Sequence, residues 1–139
     1  MTQVDFYVLK ETAPRARLLF VCRLLEKVFH LGQRGFVQLA SETEVHALDE
    51  LLWTFRDGSF LPHAPATSNQ GEPLLLGCSE EPVADCQLLV NLVPVVPEFF
   101  SRFERVAEVV DADPETRARG RERFRFYKDR GYPVEVHNL

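Results

Sequence analysis

Along this chain, short runs of β-forming residues take turns with stretches whose apolar residues recur every three or four positions. Val4-Asp5-Phe6-Tyr7-Val8-Leu9 is the first strand-like run. Behind it Thr12 offers an N-cap and Pro14 a first-turn proline. Leu18, Val21, Cys22, Leu25, Val28 and Phe29 then share one helical face, and Gly32 supplies the left-handed stop. Residues 36–39 form a second strand. Ser41 and Glu44 have the spacing of a capping box, and the helix they open carries Val45, Leu48 and Leu52 on one side, ending near Trp53 before the turn signal Asp57-Gly58. Residues 59–71, with Pro62, Pro65, Ser68, Asn69 and Gly71, read as a long surface loop. Two further strands are expected at 74–76 and 86–92, a short helix from Pro97 bearing Phe99, Phe100 and Phe103, and a fifth strand at 105–110. Asp113 and Pro114 start a last helix that runs to about Arg130, where Gly131 ends it and Tyr132-Pro133 opens an extended tail.

This order predicts one domain spanning 1–139, an α/β three-layer sandwich around a mostly parallel sheet. The link between 76 and 86 is too short for a crossover helix, so one strand there is expected to run antiparallel. At 139 residues and 45 % hydrophobic, the chain has enough apolar material for a single core.

Several function classes lose support at this point. No apolar run approaches the roughly 20 residues that span a bilayer, and the N-terminus has neither a basic region nor a cleavable apolar segment, so the expected compartment is the cytoplasm. Cys22, Cys78 and Cys86 are an odd set without zinc-knuckle or redox spacing, so they read as reduced thiols, with Cys22 in the core. A nucleotide site would need glycines in the first strand-to-helix turn, where this chain has Lys10-Glu11-Thr12-Ala13-Pro14. His30, His46, His63 and His137 lack metal-ligand spacing, and Ser59 and Ser101 have no base nearby in sequence. Acids such as Glu80-Glu81 and Asp111/Asp113 suit loops and caps. The expectation is therefore no catalytic set, no metal and no cofactor. A small cytosolic α/β enzyme whose active site assembles from distant residues remains the alternative.

Charge is unevenly spread. The chain is −5 overall, yet residues 117–130 hold seven of the sixteen basic residues and only two acids, Glu122 and Asp129. A basic stripe on an otherwise acidic protein suits a small acidic partner better than direct nucleic-acid binding, because the remaining negative field opposes phosphate. At 100° per residue, Arg117, Arg121 and Lys128 fall in a narrow arc with Arg125 beside it, while Thr116, Gly120 and Tyr127 face the core and Phe124 lies on the seam. Arginine's planar fork matches carboxylates. The pattern reads as a receptor for an acidic peptide ending in an apolar residue and a free carboxylate. A solvated basic face and a direct nucleic-acid binder are the rival readings. A second cluster, Trp53, Phe55, Phe60 and Leu61, crowds a helix end beside the Pro-rich loop; half of it is expected in the core, and the cluster reads equally as a protein-binding patch.

Both places resemble a known family. Leu48-Asp49-Glu50-Leu51-Leu52-Trp53 with Ser59-Phe60-Leu61-Pro62-His63, and Arg121-Glu122-Arg123-Phe124-Arg125-Phe126-Tyr127 with Gly131-Tyr132, look like the chi subunit of bacterial DNA polymerase III, as does the opening 4–9. The resemblance implies a Rossmann-like fold without nucleotide chemistry and a non-catalytic accessory role in replication. It implies two partners: the psi subunit, which ties chi to the clamp loader, and the acidic C-terminal tail of single-stranded-DNA-binding protein, which ends in Pro-Phe. The tail site carries over onto Val110, Arg117, Arg121, Phe124 and Arg125, and the psi-facing surface onto Trp53, Phe60 and Pro62. An alternative repair-type helicase partner on that second surface is also implied. Phe124 stands where the family has tyrosine, so one hydroxyl bond is missing, and Arg117 and Arg125 replace lysines with the charge kept. Residues 64–72 match poorly.

Overall fold

The computed structural model describes residues 1–58, 60–79, 81–82 and 86–139. Ser59 and Glu80, both singled out above, lie outside the described residues. The elements in chain order are β1 (Gln3–Val8), α1 (Pro14–His30), β2 (Gly35–Gln38), α2 (Glu42–Thr54), β3 (His63–Pro65), β4 (Leu74–Gly77), β5 (Leu88–Asn91), β6 (Arg105–Val110), α3 (Pro114–Asp129) and β7 (Val134–Asn138). The seven strands make one sheet in the order β3-β4-β2-β5-β6-β1-β7.

Every strand pair is parallel, which corrects the expected antiparallel strand. β4 and β5 are not neighbours. They flank β2, which pairs with both, so the connection from β4 to β5 steps across one strand and the two can share a direction. Two strands were missed. β3 emerges from the expected surface loop, with His63 and Ala64 buried, and the extended tail pairs with β1 as the edge strand β7. The short helix expected at Pro97 is a single 3-10 turn, Phe100–Arg102.

Side chains alternate across the sheet as the period of two demands. Leu9, Val37, Leu74, Val90, Ala107 and Val109 meet the apolar faces of α1 and α2. Val4, Phe6, Phe36, Leu75, Leu89 and Val106 face the other way, onto α3 and Phe100. Two cores separated by one sheet give the three-layer sandwich.

The helix ends follow local chemistry. Asp113 caps α3 by accepting from the Thr116 N–H at 3.0 Å, with Pro114 in the first turn. Ser41 caps α2 through the Glu44 N–H at 3.2 Å, while the Glu44 carboxylate reaches back to the Ala40 N–H at 3.0 Å, one residue beyond the usual capping-box target. Thr12 does not cap α1. The N-cap position falls on Ala13, which has no side-chain acceptor, and Pro14 sets the first turn instead. Gly131 ends α3 at φ 80°, a backbone conformation costly for any residue with a Cβ, and so turns the chain back toward β7.

Candidate functional site: a cation-rimmed cavity between the last helix and the sheet edge

α3 begins beyond the C-terminal end of β6 and runs back against the strand direction to Gly131, from which β7 starts. Its rotation about its own axis is fixed from below. Glu108 sits on β6 between Val106 and Val110, on the α3 side, and is 0 % exposed. Its Oε1 accepts from Arg123 Nε at 2.8 Å, and its Oε2 accepts from the Tyr127 hydroxyl at 2.8 Å and from Asn91 Nδ2 at 3.0 Å. Arg123, 4 % exposed, also donates to the Pro94 carbonyl. Burial, with the Glu108 charge alongside, pushes the Tyr127 hydroxyl far above its ordinary range, so it remains a donor. Arg123 therefore does not belong to the exposed basic stripe in which it was counted. A signal was available: Arg123 lies three residues from Gly120 and four from Tyr127, on the core stripe, and a glutamate on a buried strand requires a cation partner.

With Arg123 and Tyr127 turned toward β6, the opposite flank of α3 overhangs β1 and β7. There a cavity of about 210 Å³ is lined by Phe6, Val8, Val110, Arg117, Gly120, Arg121, Phe124 and Val136. Gly120 makes it possible. A Cβ on that residue would lie 3.0 Å from Val110 Cγ2, so glycine lets the helix approach β6 this closely without displacing the valine. Phe124 packs edge-on against Phe6 with ring centroids 5.6 Å apart, and Lys128 Nζ lies 5.8 Å from its ring centroid.

Four of the five residues expected to bind a chain end thus come together: Val110, Arg117, Arg121 and Phe124. Arg125 is exposed one turn beyond Arg121 and does not line the cavity. Arg117 has a second duty, because its guanidinium donates to the Leu9 and Asp111 carbonyls at 3.2 and 3.3 Å and so braces the cavity wall. Arg121 is exposed and, among the described residues, makes no ion pair. Phe6, Val8 and Val136 were not anticipated, since they reach the cavity only through the order β6-β1-β7, which local sequence patterns do not encode.

The second cluster divides between core and surface as expected. Leu61 is fully buried and Phe55 half-buried, while Trp53 and Phe60 are 51 % and 81 % exposed and Pro62 is exposed as well. His63 is the unanticipated member. Its ring is buried against Trp53 at 4.4 Å, Nδ1 donates to the Leu61 carbonyl at 2.6 Å, and Nε2 faces Asp49 Oδ1 at 3.2 Å. The buried imidazole holds the corner on which the exposed aromatics sit.

Two other places bear on chemistry. At the C-terminal ends of the strands, where open α/β sheets bind ligands, Arg17 donates to the Val109 and Leu92 carbonyls, and burial pushes its guanidinium below the usual arginine range. The surrounding crevice carries Glu44, Asp111 and Asp113, carboxylates at the helix N-termini where a phosphate would otherwise be attracted. His137, Asp5 and Glu135 offer donor atoms within 4.8 Å of one another, although sequence spacing gave no hint of it. Asp5 is already held by Arg105 at 2.8 Å and by His137 Nε2 at 3.0 Å, and this arrangement clasps β7 to β1 and β6.

Comparison with known proteins bears on the family of the chain. A family model described as DNA polymerase III chi subunit, HolC, matches residues 1–135. The chain is 42 % identical over 139 residues to DNA polymerase III subunit chi of Pseudomonas aeruginosa, covering all of this chain and 98 % of that one. It is 24 % identical over 138 residues to the subunit of the same name from Haemophilus influenzae, covering 97 % and 96 % of the two chains. Among solved structures, T4 UvsW superposes with a TM-score of 0.71 over 99 % of this chain and 41 % of that one; at 8 % identity this is a likeness of fold alone. No described helix is long and apolar enough to cross a membrane. With a match running over nearly its whole length, the chain belongs to the DNA polymerase III chi subunit family.

Proposed function

We propose that this protein is a non-catalytic adaptor that grips the acidic C-terminal tail of single-stranded-DNA-binding protein in the α3 cavity and the psi subunit on the Trp53–Phe60–Pro62 surface, joining the clamp loader to coated single-stranded DNA. The observation that carries the reading is the pairing of an apolar cavity with Arg121 at its edge, exposed and in no ion pair among the described residues. A terminal phenylalanine entering beside Phe124 and Val110 gains roughly 1.5–3 kcal/mol when fully buried. Its α-carboxylate on Arg121 adds roughly 1.5–3 kcal/mol as a charge-assisted bond. Acids upstream meet Arg125 and Lys128 in solvent, where salt screens them and each is worth less. Ordering a flexible tail offsets part of this, so a micromolar affinity, about −8 kcal/mol, needs the upstream contacts in addition to these two.

The exposed aromatics at 53 and 60 fit a separate protein partner, since large apolar groups at a rigid corner are the usual anchors of an interface. The acids in the strand-end crevice favour an adaptor over a nucleotide enzyme, and the negative remainder of the chain disfavours direct DNA binding. The test is Arg121→Ala in calorimetry with an acidic peptide ending in Pro-Phe. Affinity falls tenfold or more, roughly 1.4 kcal/mol, while the fold and psi binding are retained. Unchanged affinity would reject the site.

A further inference from the structure

The two edges of the sheet are finished differently. β3, on one side, has three residues and ends in Pro65, a short strand that closes with a proline. β7, on the other, has five residues and no proline inside it. The hydrogen bonds to β1 fix which backbone groups of β7 are open. The Pro133 carbonyl accepts from the Val4 N–H, and the Leu139 N–H donates to the Val8 carbonyl, so odd-numbered residues face β1. By the strand's period of two, the N–H and C=O of Val134, Val136 and Asn138 point away from the sheet. Val136 also lines the cavity with its side chain and is 48 % exposed. One residue therefore joins the cavity to an open strand edge.

We infer that the bound tail is an eighth strand: its terminal aromatic fills the cavity, and the acidic residues before it pair in extended form with β7, running parallel to it. This inference rests on the tail-binding reading above. The direction follows from charge. Arg117, bonded to Leu9 just past the end of β1, marks the C-terminal end of the sheet, and Arg121, Arg125 and Lys128 follow along α3 toward the N-terminal end. With its last residue at the cavity beside Arg121, the peptide's upstream acids must pass Arg125 and Lys128, and so enter from the N-terminal end of β7. Edge pairing supplies main-chain bonds, and alternate side chains supply specificity. Acids on the α3 side meet cations, whereas those on the other side meet Glu135, which shares that face of β7 with His137.

Amide hydrogen exchange by NMR, on the intact protein with and without saturating acidic peptide ending in Pro-Phe, tests this. The Val134, Val136 and Asn138 amides slow by roughly tenfold or more, while those of Glu135 and His137 change little. Alanine substitution along the peptide weakens binding with a period of two, and a spin label at the peptide's N-terminus broadens Val134 more than Asn138. Arg121-dependent binding that leaves the three edge amides unprotected overturns the strand pairing and spares the tail site. Stronger broadening at Asn138 overturns the parallel direction. Absence of peptide binding overturns both.

Discussion

Arg123→Met isolates the buried ion pair that sets the rotation of α3. Methionine keeps most of the aliphatic stem and removes the guanidinium. Glu108, 0 % exposed, then retains two donors, Tyr127 and Asn91, but no countercharge. Removing one member of a buried pair costs about 3–5 kcal/mol because the other charge is left behind. At roughly 3 °C per kcal/mol for a chain of this size, the melting temperature drops by about 10–15 °C. Thermal and urea unfolding followed by circular dichroism measure this, with the midpoint shifting at constant slope. The double variant Glu108→Gln/Arg123→Met buries no charge and recovers at least about 1 kcal/mol relative to the sum of the two single changes. A melting temperature for Arg123→Met within about 3 °C of the parent would refute the reasoning, since it would mean that Glu108 does not depend on this partner.

Other expectations follow from the same structure. Cys22 is buried and its thiol is pushed up to about 12 by desolvation, so it stays essentially unionised at pH 8 and resists iodoacetamide in the folded protein, reacting only on denaturation; mass spectrometry of the native digest checks this. Gly120→Ala gains about 1 kcal/mol of helix propensity but pushes a Val110 methyl into the cavity. Stability then changes little while affinity for the acidic peptide falls severalfold by calorimetry. Phe60→Ala removes an exposed ring, leaves the melting temperature within about 1–2 °C, and weakens psi capture in a pull-down while peptide binding is unaffected.

Much of this architecture is local enough to read from the chain. Asp113-Pro114 and Gly131 bound α3 because caps and stops act over three or four residues, and the apolar spacing of α1 needs no distant partner to be visible. What escaped is what depends on who lies next to whom. β3 is three residues containing a histidine and a proline, and it becomes a strand only because β4 offers its edge. One strand at the link between β4 and β5 was expected to run antiparallel because the link length was weighed without knowing that β2 stands between them. Arg123 and Glu108 are fifteen residues apart, and their pairing needs α3 laid across β6. The cavity's cationic rim was legible from helical periodicity. Its floor, Phe6, Val8 and Val136, was not, because a strand order cannot be deduced from periodicity alone.

The central claim is that an apolar chain end and its carboxylate are recognised together. Isothermal titration with two peptides tests it most directly, one acidic tail ending in Pro-Phe and the same peptide lacking the final phenylalanine. The account predicts micromolar binding for the first and at least a tenfold loss for the second, roughly 1.4 kcal/mol or more. Equal affinities would show that charge alone holds the tail and that the cavity beside Phe124 plays no part.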